Sequence, residues 1–285
     1  MIDAHCHLDD AAFDADRDAV FVRSRAVGVV GWLVAGVDPA TWARQRALAV
    51  AEPGIRWAAG LHPCAVARAS IAEREAALIA LPSCFQGVRP ASALGETGLD
   101  TRFVPRDTLE AQVSAFRAQV ALARALDLPV VLHLNGPGTH GRALAVLRGD
   151  GLPRRGGVVH AYSGSAELVA DYVALGLYLS FAGTVARPDA RRVHGAARAT
   201  PGPRLLVETD APDLAPPGAP RRNEPAALPE ILRALAQLRG EDPGALAEQT
   251  ARNAAELFGA FAAHSAPNAT DPAPSESLNA ARRAE

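Results

Sequence analysis

The chain has 285 residues, 49% of them hydrophobic, enough for one large core or two ordinary ones. Its 29 basic and 31 acidic residues leave a net charge of −2, which excludes a surface built to coat nucleic acid but leaves room for a local basic cleft. No residue is lysine, which excludes Schiff-base catalysis by a lysine and any metal pair bridged by a carboxylated one.

Eight short apolar runs alternate with longer helical patterns, at residues 2–7, 29–34, 55–61, 91–95, 129–133, 157–160, 177–181 and 205–209. Continuous apolar runs of this length read as parallel strands covered on both faces. In the first run, strand alternation puts Asp3, His5 and His7 on one face and Ala4 and Cys6 on the other. Asp38-Pro39 predicts a helix start with proline at its first position, and Asp242-Pro243 another. Arg187-Pro188-Asp189 marks a further start, and residues 107–110 read as a capping box. Behind it, Leu109, Val113, Phe116 and Val120 form one apolar helix face. Eight strand–helix units in succession predict a closed (β/α)8 TIM barrel in the α/β class over residues 1–263. A doubly wound open sheet is the alternative, but no G-x-G-x-x-G follows an early strand. From His264 to Glu285 the composition turns to Ala, Pro, Ser and Asn, and we read it as a disordered tail.

The polar residues fall where barrel enzymes keep their chemistry, at the C-terminal strand ends. His5, His7, His62, His133 and His160 all lie there, as do Glu96 after the fourth run and Glu208-Thr209-Asp210 at the eighth. One strand-end histidine is more often structural than a ligand; five, with acids added, point to metal. So many donors exceed the needs of one tetrahedral ion, whereas two ions roughly 3.5–4 Å apart would use them. Such a pair needs an anionic bridge, and Glu96 is the candidate. His140, His194 and His264 fall in helices or tail and are read as solvated.

Three cysteines without C-x-x-C spacing suggest reduced thiols in a cytoplasmic protein. Cys6 is read as packing, and neither Cys64 nor Cys84 is given a role. No charged-then-apolar leader opens the chain and no apolar run reaches membrane-spanning length, so neither a signal peptide nor a transmembrane helix is expected.

At these residues the chain resembles the TatD-type metal-dependent DNases, a branch of the amidohydrolase-like barrel hydrolases. The markers are Asp3-Ala4-His5-Cys6-His7-Leu8-Asp9, Gly60-Leu61-His62-Pro63, Gly95-Glu96-Thr97-Gly98-Leu99-Asp100 and Leu128-Pro129-Val130-Val131-Leu132-His133. His160-Ala161-Tyr162-Ser163-Gly164-Ser165, Glu208-Thr209-Asp210-Ala211-Pro212, Arg222-Asn223-Glu224-Pro225 and Asn253-Ala254-Ala255-Glu256-Leu257-Phe258 follow in order. The resemblance implies His5, His7, Glu96, His133, His160 and Asp210 as ligands of two divalent ions (Mg, Mn or Zn), with Glu96 bridging. It implies Glu96 and Asp210 as catalytic, Asp210 orienting or deprotonating the attacking water. It implies substrate contacts from His62, Arg222 and Asn223.

The implied reaction is hydrolysis of DNA phosphodiester bonds, single strands included, by a two-metal-activated water. Two positions depart from the family pattern. Asn135 stands where many relatives carry arginine, and an asparagine cannot pair bidentately with a phosphate. Thr101 stands where many carry an aromatic residue. Asn135 favours the alternative, a small-molecule amidohydrolase or phosphoesterase acting on an ester or amide with the same metals. Arg102, Arg106, Arg187, Arg221 and Arg222 lie on expected barrel-top loops and are further candidate contacts. A barrel kept only as a binding module is a third reading, which so many converging ligands oppose. Membrane partners are not expected, and the sequence leaves the oligomeric state open.

Overall fold

The computed structural model of the protein describes residues 1–262. The stretch expected to be a tail, 264–285, lies outside the described residues, as does His264. Eight parallel strands follow one another around a ring: β1 (Ile2–Cys6), β2 (Gly31–Val34), β3 (Ile55–Ala59), β4 (Ala93–Asp100), β5 (Val130–Asn135), β6 (Gly157–Val159), β7 (Leu177–Phe181) and β8 (Leu205–Val207). The helices between and after them are α1 (Arg17–Ala26), α2 (Pro39–Ala51), α3 (Pro63–Arg68), α4 (Ile71–Ala80), α5 (Leu109–Leu126), α6 (Thr139–Asp150), α7 (Val169–Ala174), α8 (Arg191–Ala199), α9 (Leu228–Arg239) and α10 (Pro243–Phe258). This is the expected (β/α)8 barrel.

The ring closes through the chain just past β8. Asp210 N–H donates to His5 C=O at 2.9 Å, and His7 N–H donates to Ala211 C=O at 2.7 Å. The Asp3 carboxylate stitches the same seam, accepting the Thr209 N–H at 2.9 Å and its hydroxyl at 2.5 Å. Burial raises the Asp3 pKa to about 7 although the Thr209 hydrogen bonds oppose it.

Two apolar layers hold the barrel. Outside the strands, Phe13, Trp32, Trp57, Phe116 and Phe181 pack between sheet and helices. Inside, Ala4, Leu33, Ala58, Ala93, Val131, Val158, Tyr178 and Leu206 contribute one residue per strand. Ala254, Leu257 and Phe258 of α10 pack on that inner cluster and plug the end of the barrel away from the histidines. Asp242 caps α10 by accepting from Ala245 N–H, and Asp38 caps α2 by accepting from Ala40 N–H, both ahead of a first-position proline as read.

Four local expectations change. The pairing of β1 with β2 steps from Asp3↔Trp32 to Cys6↔Val34, three residues against two, so β1 carries a bulge. Ala4 therefore joins the inner cluster while Cys6 joins the outer one, and they do not share a face. β4 runs on to Asp100 because it keeps pairing with β5 as far as Asn135, so Glu96 sits within the strand and not after it. No capping box forms at residues 107–110: the Thr108 hydroxyl donates to Pro105 C=O and accepts from Gln112, leaving nothing for the helix N-terminus. His140 and His194 are not solvated; they bond the Tyr172 hydroxyl and the Val185 carbonyl.

Candidate metal centre

The two bulges deliver the site. β4 repeats the irregularity of β1, stepping from Leu94↔Val130 to Thr97↔Leu132. At Gly95, φ is +150° and an added Cβ would stand 2.6 Å from the Val131 carbonyl oxygen, so only glycine can precede Glu96 here. Glu96 is thereby placed in the mouth of the barrel, 2% exposed. His5 reaches it from β1 and His7 from the residue after it, His133 from β5 and His160 from just past β6. Asp210 reaches His5 and His7 from the loop after β8, on a left-handed backbone (φ +56°) that aspartate tolerates.

The carboxylate of Glu96 divides the cluster. Its Oε1 lies 3.6 Å from His5 Nε2 and 3.5 Å from His7 Nε2, and both nitrogens are 3.5 Å from Asp210 Oδ1. Its Oε2 lies 3.5 Å from His133 Nδ1 and 2.9 Å from His160 Nε2, with His62 Nε2 at 3.8 Å. Two donors each roughly 2.1 Å from a shared ion at a tetrahedral angle stand about 3.4 Å apart. The first set has that spacing throughout. Both ring nitrogens of His5, Nδ1 of His160 and Oε2 of Glu208 are buried and hydrogen-bonded to nothing. Unpaired imidazole and carboxylate atoms beside one another at this depth are costly unless a cation joins them. The residues present therefore fit divalent ions.

Carboxylates stand behind two of the histidines. Asp100 Oδ2 is 3.0 Å from His133 Nε2, which turns Nδ1 toward Glu96. Glu208 Oε1 is 3.5 Å from His160 Nδ1 and accepts the Ala161 N–H at 2.6 Å, which turns Nε2 toward Glu96. Such partners fix tautomer and ring orientation. Glu208 is fully buried and groups with His5 and His160, yet the sequence reading gave it no role of its own. Its spacing of two from Asp210 is the signal that was there to read.

The protonation pattern follows from this packing. Burial opposes charge on His7, but Asp210 and Glu96 outweigh it and raise the pKa to about 10. Burial likewise opposes charge on His133 and His160, and the neighbouring carboxylates raise both. Glu96 and Asp210 are held ionised against burial by the surrounding imidazoles. His62 goes the other way: burial, with His133 beside it, lowers its pKa to about 3, so it is neutral. Its Nδ1 is engaged as well, accepting the Cys64 N–H at the start of α3.

The cluster opens into a cleft of about 970 Å³ lined also by Arg102, Phe103, Asn135, Arg187, Asp9 and Asp213. Asn135 thus faces the cleft. Arg222 and Asn223 are placed differently. The Arg222 guanidinium makes a two-pronged pair with Asp16 at 2.6 and 2.8 Å and lies over the Phe13 ring. The Asn223 amide is buried and donates to Thr209 and Asp213 carbonyls. Arg106 and Arg221 do not line the cleft.

Among the described residues no helix is long and apolar enough to cross a membrane. The sequence profile described as TatD related DNase matches residues 2–259. A 3'-5' ssDNA/RNA exonuclease TatD from Citrobacter rodentium is 38% identical over 273 residues, covering 91% of this chain and 98% of its own. An uncharacterized metal-dependent hydrolase YabD from Bacillus subtilis is 32% identical, covering 90% and 98%. The crystal structure of YJJV, a TatD homolog from Escherichia coli, superposes with a TM-score of 0.82 at 33% identity, covering 91% and 98%. The chain belongs to the TatD-related DNase family and is a metal-dependent hydrolase acting on ester bonds.

Proposed function

We propose that the protein cleaves phosphodiester bonds of DNA, single strands first, with two divalent ions held by His5, His7, Glu96, His133, His160 and Asp210. One observation carries the reading: Glu96 turns Oε1 to one histidine pair and Oε2 to the other, the arrangement of a bridge. Bound ions would polarise the phosphoryl oxygens and acidify the attacking water. Asp210, ionised and beside His7, accepts the proton of that water. Asp100 and Glu208 keep His133 and His160 aimed at the bridge. His62 is a neutral hydrogen-bond partner for substrate at the cleft wall. Arg222 and Asn223 hold the loop before α9 instead of meeting a phosphate, their groups being spent on Asp16, Thr209 and Asp213. Imidazole-rich donors with carboxylates suit Zn and Mn, and Mg as well where oxygen ligands dominate. Three free thiols fit the reducing cytoplasm.

Asn135 and the acids Asp9 and Asp213 on the cleft wall favour a second reading, a small ester or amide as substrate. One experiment separates the two. Purified protein is analysed for metal and given Mg or Mn with a single-stranded oligonucleotide, or with a panel of small phosphate esters, lactones and amides. The proposal expects about two ions per chain and oligonucleotide cleavage that chelator stops. An intact oligonucleotide beside a hydrolysed small substrate transfers the site to the second reading. Protein that takes up no metal sinks both.

A further inference from the structure

We propose that Phe103, with Arg102, is a stacking platform for an unpaired nucleobase of the substrate strand. This rests on the nuclease reading above and names how that site holds its strand. Phe103 is 72% exposed. The other large exposed hydrophobics of the described residues, among them Val22, Ile71 and Val88, lie away from the cleft; Phe103 lines it. A bare aromatic ring at the mouth of a catalytic cleft offers a flat apolar face on which a base can stack.

The ring is held in place. Both the Arg102 and the Phe103 N–H donate at 2.7 Å to Asp100 Oδ1, and the other oxygen of the same carboxylate holds His133. One buried aspartate therefore fixes the platform relative to the bridging glutamate. The Arg102 guanidinium lies over one face of the Phe103 ring, 5.8 Å from its centre, and backs the platform with a cation. β4 stands across the ring from β8, whose following loop carries Asp213. Arg102 puts a positive charge on the platform's side of the cleft, to which phosphates are drawn. Stacking on an aromatic face tolerates any base, which suits a strand bound by its chemistry and not by its sequence.

The test compares a ten-residue thymidine oligonucleotide with a base-free sugar-phosphate chain of equal length, using Mn-supplemented wild type, Phe103→Ala and Phe103→Trp. Phe103→Ala should raise KM on the thymidine oligonucleotide about tenfold with kcat nearly unchanged, the size of one lost base–aromatic stack. On the base-free chain it should change nothing, and Phe103→Trp should restore the wild-type KM. An equal rise on both chains, or none on either, overturns the platform. If wild type cuts both chains equally well, the platform falls and the nuclease reading stands. If wild type cuts neither yet hydrolyses a small ester, both fall.

Discussion

The same strands build two opposite ends of the barrel. At one end Ala4, Val131, Val158 and Leu206 pack on Leu257 and Phe258. One or two residues further along the chain stand His5, His133, His160 and Glu208, all but His133 buried and in part unpaired. The first end gains stability by removing apolar area from water. The second spends it, holding charged and polar groups where their hydration is lost. The difference teaches that this fold separates its duties along the strand axis: weakening the plug should leave the chemistry in place, and dismantling the site should leave the protein folded.

Glu96→Gln should break the chemistry hardest. It removes charge from the group facing both histidine pairs, and hydrolysis should fall by about 10²–10⁴-fold. Melting temperature without metal should fall, since the imidazoles around Glu96 lose their buried counter-charge. Added divalent ion should raise the melting temperature of wild type and leave the variant almost unmoved. Near-normal turnover would reject the bridge. Phe258→Ala is the mirror experiment. It empties a 2% exposed position in the plug and should cost about 3–5 kcal/mol, while the folded fraction keeps its metal content. Loss of metal in step with stability would mean that the two ends are not separate.

Asp100→Asn sharpens the comparison with a smaller change. An amide keeps the volume and one oxygen, and loses the charge that orients His133. Metal affinity or turnover should drop about 10–100-fold, read by metal titration with intrinsic fluorescence as the folding control. No change would leave Asp100 as a loop fastener only.

The histidines could be read from the sequence because strand ends in a barrel all point to one place, so residues far apart in the chain needed only the strand count to be gathered. The count of eight was legible in the apolar runs, and α10's start in Asp242-Pro243. What was hidden came from geometry that periodicity does not carry. The bulges in β1 and β4 follow from pairing between strands, so Ala4 and Cys6 parted company unannounced. Gln112 and Gln119, to which the sequence reading gave no place, are buried; Gln112 bonds the Asp100 backbone at the end of β4 and Gln119 the Leu61 backbone just past β3. Arg222 was read as a substrate contact from the family resemblance, and its pairing with Asp16, 206 residues away in sequence, could not be seen there. Polar residues whose partners are remote look free in a sequence.

His140 carries the smallest predicted effect and lies outside both ends. Its Nδ1 is 2.8 Å from the Tyr172 hydroxyl and its Nε2 has no partner. Burial, with Arg192 adding to it, lowers the pKa from 6.5 to about 4, so the folded protein holds this ring neutral. The unfolded chain takes the proton first as pH falls. The stability from the neutral ring is therefore complete above about pH 6.5 and is lost through the window down to about pH 4. His140→Gln gives up the Tyr172 contact and should be about 1 kcal/mol less stable at pH 7. It should then lose less on acidification, so the melting curves of variant and wild type converge between pH 6.5 and 4. The carboxylates and imidazoles of the metal centre titrate in both proteins and cancel in the difference. A gap that stays constant across the window would show that His140 takes up its proton in the fold as readily as in the unfolded chain, and that burial between Tyr162 and Tyr172 does not govern it.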